Sequence, residues 1–112
     1  MEQVFNKLVR DNIPTKIENN GEIAITRILN DEEYRVELYK KLKEECTEVV
    51  ESKTSMDTLE ELADVFEVIK SIAEFENKSI DDIIEIANQK RLKRGGFEKR
   101  IFLEKTFDKT RW

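Results

Sequence analysis

Two short acidic runs hold the side chains best suited to chemistry: Glu44-Glu45-Cys46-Thr47-Glu48 and Glu61-Leu62-Ala63-Asp64. An ionised carboxylate is costly to bury unless something neutralises it. A helix advances about 100° per residue, so each side chain can be placed on a wheel. On the first of two long helices, Leu38, Tyr39, Leu42, Cys46, Val49 and Val50 share an apolar arc. Glu45 falls at its edge, roughly 20° from Leu38 and roughly 40° from Val49. Glu48 lies one step further out, whereas Glu44 and Glu51 point away. On the second helix, Leu62, Val65, Phe66, Val68, Ile69 and Ile72 form a broad arc. Glu61 falls inside it, between Val68 and Ile72, and Asp64 borders it.

Residues three apart are neighbours on a helix surface. Glu45 with Glu48, and Glu61 with Asp64, can therefore each reach one point. A connection of about five residues makes the helices antiparallel neighbours and sets the two pairs face to face. Four such carboxylates repel unless a cation joins them. Magnesium takes oxygen ligands in octahedral geometry and keeps some waters, which suits this set. A divalent metal in turn points to phosphate chemistry. The competing reading is a solvated acidic face, which is common on helices.

A third helix carries Ile80, Ile83, Ile84, Ile86 and Ala87 on one arc, which Lys90, Arg91 and Arg94 continue. Lys93 and Arg100 lie close in sequence, and Asn88 falls at the edge of the same face. Such cations could bind phosphates. They equally complement the negative end of a helix dipole. Gly95-Gly96 allows a tight turn beside a ligand, or simply stops the helix.

These side chains require elements to position them. Residues 1–12 read as an irregular arm. Pro14 suits the first turn of a short helix over about 13–19, and Asn19-Asn20-Gly21 ends it. Ile23 to Leu29 alternates and predicts a short strand. Asn30 or Asp31 can cap the first long helix, to about Ser52. Ser55 or Thr58 opens the second, to about Asn77. Ser79 and Asp82 resemble a capping box for the third, which runs to about Arg94. Ile101-Phe102-Leu103 is a candidate second strand, able to pair with 25–29. The expected class is all-α: three principal helices, a short N-terminal helix and two minor strands.

The chain has 112 residues, which predicts a single domain over 1–112. So short a chain builds a small core, so helices from a second copy would help to complete it. Charged residues make up 40% and the net charge is −5, which argues against nucleic-acid binding. No apolar run approaches the roughly 20 residues of a membrane span. Met1-Glu2-Gln3 opens no secretion signal, and the single Cys46 fits a reducing cytoplasm. The absence of His removes the usual triads and most zinc sites.

Glu44-Glu45-x-x-Glu48 followed by Glu61-x-x-Asp64 resembles the signature of the MazG-like, all-α NTP pyrophosphatases. Lys90-Arg91-Leu92-Lys93-Arg94-Gly95 resembles the basic segment that follows in that family. Lys7-Leu8-Val9-Arg10-Asp11-Asn12-Ile13-Pro14 is similar to the opening of its small phosphoribosyl-ATP pyrophosphohydrolase-like subgroup. The resemblance implies hydrolysis of a nucleoside triphosphate between the α and β phosphates, giving the monophosphate and pyrophosphate. It implies Mg²⁺, with Mn²⁺ as a substitute, on Glu45, Glu48, Glu61 and Asp64. Glu44 or Glu48 would serve as catalytic carboxylate. Asn88, Lys90, Lys93 and Arg94 would bind substrate. Homodimers or homotetramers, built on a four-helix bundle from two subunits, are also implied.

Two other readings fit the same residues. One is phosphoribosyl-ATP hydrolysis in histidine synthesis, which uses the same metal logic. The other is a non-catalytic helical interaction module. Phe5, Tyr34, Phe97, Phe102 and Trp112 could stack on a base, although core packing is the expected role of each.

Overall fold

The structure, a computed structural model, describes residues 1–111. It is all-helical: α1 (Ile13–Asn19), α2 (Asp31–Glu51), α3 (Ser55–Phe75) and α4 (Ile80–Arg94), with a 3₁₀ turn at Lys109–Arg111. The chain divides into two compact units, Met1–Ile80 and a second beginning at Asp81. Among the described residues, no helix is long and apolar enough to cross a membrane.

Local chemistry sets the helix ends. Asn30 Oδ1 accepts a hydrogen bond from the Glu33 N–H at 2.9 Å and starts α2. Glu33 also takes both arms of the Arg27 guanidinium, at 3.1 and 2.7 Å, which ties the preceding loop to the first turn. The cap of α3 is Thr54, whose Oγ1 accepts from the Asp57 N–H at 3.1 Å. Ser55, one of the two expected openers, is the first residue of the helix, and Thr58 lies one turn in. At the other end of α3, Asn77 takes a left-handed conformation (φ 61°). The Lys78 N–H then reaches the Ala73 carbonyl at 2.8 Å and the Asn77 N–H reaches that of Glu74 at 3.0 Å. This pattern satisfies two terminal carbonyls. Gly95, at φ +80°, ends α4 with its N–H on the Arg91 carbonyl at 2.8 Å.

The first unit is organised around an α2–α3 hairpin. Three residues, 52–54, separate the helices, fewer than expected. The Ser52 and Thr58 hydroxyls meet at 2.7 Å and fasten the joint. Ser52 Oγ also donates to the Val49 carbonyl at 2.6 Å. At the far end, the Tyr34 and Phe75 rings pack edge to face, with centroids 5.8 Å apart. Leu38 and Val68 are buried between these closures, and Ala73 is buried near the end of α3.

The expected strands do not form among the described residues. Ile23, Ile25 and Ile28 are exposed, as are Ile101, Phe102 and Leu103. Alternation marks a strand only where a neighbouring strand and a covering layer exist, and a lone two-stranded pairing is marginal in water. Phe5, Phe97 and Phe102 are also exposed, against the core role expected of them. Tyr34 does pack, whereas Trp112 lies outside the described residues.

Candidate metal centre

Glu45 and Glu61 are equidistant in sequence from Lys53, the middle residue of the connection. Leu38 and Val68 are likewise equidistant from it. A tight antiparallel hairpin therefore sets the two carboxylates opposite each other in the same register that pairs the two core residues. Asp64 lies three residues beyond Glu61, on the adjoining part of the α3 surface. Carboxylate oxygens of Glu45, Glu61 and Asp64 all lie within 4.8 Å of one another. All three side chains are half-buried.

Glu61 is the electrostatic focus. Partial burial raises its carboxyl pKa above the ordinary glutamate range. The carboxylates of Asp64, Glu48, Glu45 and Asp57 push it in the same direction. A proton or a cation at this point relieves both effects. Glu48 acts on Glu61 electrostatically, but it is exposed and outside the close trio. It makes no ion pair among the described residues. Glu44 is held by two ammonium groups, Lys7 Nζ at 3.4 Å and Lys41 Nζ at 3.5 Å.

Three cations border the cluster, and sequence reasoning assigned a role to none of them. Lys41 Nζ stands 3.6 Å from Glu45 Oε1, an i,i+4 pairing legible on a wheel. Arg10 Nη2 donates to Asp64 Oδ1 at 2.6 Å. Lys7 and Arg10 come from the arm, which the resemblance used only to place a subgroup. Their carboxylate partners are 37 and 54 residues away in sequence, so no local pattern reveals them. With Glu44, Glu45, Glu48, Asp57, Glu61 and Asp64 set against Lys7, Arg10 and Lys41, all ionised, the neighbourhood keeps a charge of −3. One divalent cation would offset most of it. The donor set is all carboxylate oxygen, which matches magnesium or manganese.

Asn88, Lys90, Lys93 and Arg94 lie on α4 and belong to the second unit. Lys90, Lys93 and Arg94 line an open groove with Glu85, Ile86 and Gln89. Asn88 is exposed and outside that lining. Arg91 instead pairs with Glu98 across the turn after α4 and holds its carboxyl below the usual range. No protein-family model matches the chain, and no curated protein or solved structure matches it.

Proposed function

We propose that this chain is a MazG-like, metal-dependent nucleotide pyrophosphohydrolase, hydrolysing a nucleoside triphosphate to the monophosphate and pyrophosphate. The observation that carries the reading is the trio of carboxylates brought within 4.8 Å by two helices in matched register. Glu45, Glu61 and Asp64 would hold Mg²⁺ or Mn²⁺, with Glu48 as an outer carboxylate. The bound metal would supply Lewis acidity and an acidified water. Glu48 is the carboxylate best placed to accept a proton from the attacking water, because no cation in the described chain engages it. Glu44, already paired with Lys7 and Lys41, instead holds those ammonium groups beside the cluster. Lys90, Lys93 and Arg94, which line the groove on α4 in the second unit, would bind phosphate oxygens. Asn88 would contact sugar or phosphate. The working form would be a cytoplasmic homodimer or homotetramer.

The test is pyrophosphate release from a panel of ordinary and damaged NTPs and dNTPs, together with phosphoribosyl-ATP, in Mg²⁺ and in EDTA. Release is expected only with the metal. Glu61→Gln is expected to abolish it while circular dichroism stays that of the wild type. Full turnover by the folded variant would remove Glu61 from the site.

A further inference from the structure

The arm delivers Lys7 and Arg10 to the carboxylates, and its backbone and side-chain tips differ in how firmly they are held. The Arg10 carbonyl accepts the Ile13 N–H at 3.0 Å, which joins the arm to the first turn of α1. Leu8 and Val9 are half-buried. The Lys7 and Arg10 side chains remain 44% and 55% exposed, so their head groups can turn without moving the backbone. Asp64 thus has two claimants. One of its oxygens already accepts the Arg10 guanidinium, yet Asp64 belongs to the trio suited to a cation.

We propose that Lys7 and Arg10 are exchangeable counter-ions. They neutralise Glu44 and Asp64 in the free protein and pass to the phosphate oxygens of a nucleotide when a divalent cation takes the carboxylates. This inference rests on the cluster being a metal site. A divalent ion beside Asp64 repels the guanidinium and competes for its acceptor oxygen. A phosphate chain supplies the negative charge the displaced cations then lack, and the planar fork of Arg10 matches two phosphate oxygens. Metal and nucleotide therefore bind synergistically, and by linkage each raises the affinity for the other by the same factor.

The experiment titrates Mn²⁺ into wild type, Arg10→Gln and Arg10→Lys, with and without a non-hydrolysable triphosphate analogue. The readout is bound metal by electron paramagnetic resonance, which does not depend on turnover. Arg10→Gln is expected to bind Mn²⁺ alone about threefold more tightly, because an exposed competing ion pair is gone. The analogue should tighten Mn²⁺ binding at least about fivefold in wild type and much less in Arg10→Gln. Arg10→Lys should retain part of the coupling. Equal Mn²⁺ affinity and equal coupling in wild type and Arg10→Gln would overturn the exchange while leaving the metal site standing. No Mn²⁺ binding by any of the three proteins would overturn the metal site and the exchange together.

Discussion

Glu61 is the residue at which packing and chemistry conflict. Its wheel position lies among Val65, Val68 and Ile72, where an apolar side chain would pack without penalty. The structure leaves it half-buried with its carboxyl pKa raised, first by desolvation and then by Asp64, Glu48, Glu45 and Asp57. A raised folded pKa means that the folded chain holds this proton more tightly than the unfolded chain. The associated stability is present in full below the unfolded value and is lost as pH rises through the folded one. In EDTA, the stability difference between Glu61→Gln and wild type should therefore move in favour of the variant as pH rises from about 4 to about 7. Thermal melts of both proteins across that range would measure it, and a difference independent of pH would refute the conflict. Glu33, Glu98 and Asp108 have lowered pKa values and respond in the opposite sense, but they are common to both proteins and cancel. The trio was legible in the sequence because helical periodicity places Glu45, Glu61 and Asp64 on their faces and the short connection sets those faces together. Arg10 and Lys7 were not, because their contacts depend on how a non-periodic arm docks.

At the scale of elements, the α2–α3 joint determines whether the two acidic runs meet. A slip of one residue would rotate one carboxylate by about 100° away from its partner. Thr54, Ser52 and Thr58 hold that register through a cap and a hydroxyl pair. Thr54→Ala should cost about 1 kcal/mol and lower the midpoint by several degrees. Ser55→Ala, one position on, should stay within about 0.5 kcal/mol, as a surface change away from any cap does. Comparing the two melts distinguishes the cap that forms from the opener suggested by sequence alone. Helix boundaries were readable to within a residue or two because caps, Pro14 and the glycines are local signals. The strands at 23–29 and 101–103 were misread for the converse reason. Alternation is also local, but a strand exists only through its partner.

For the molecule, the decisive feature is the width of the apolar arcs. One neighbour cannot cover them: α2 and α3 pack with Leu38, Leu42, Val65, Val68 and Ile72 inward or half-covered, while Tyr39, Val50, Leu59, Leu62 and Phe66 stay exposed. On each helix the bare stripe lies about a quarter-turn onward from the packed face, in the same rotational sense. In antiparallel helices that geometry brings both stripes to one side of the hairpin. A second hairpin laid on that side would complete the four-helix bundle of the proposed homodimer. The charge pattern permits it, because the carboxylate trio lies on the other, α2–α3 packing seam. Phe66 is 49% exposed and Leu62 is 46% exposed, so each has area left to bury. Phe66→Asp removes remaining burial worth about 1 kcal/mol per copy, about 2 kcal/mol for the two copies, and places a charge in the interface, so association should weaken by at least about 30-fold. Sedimentation equilibrium should find wild type dimeric or tetrameric at micromolar concentration and Phe66→Asp largely monomeric. A monomeric wild type at tens of micromolar would leave the stripe without its proposed partner. A variant that still dimerises would place the interface on a different face of the chain.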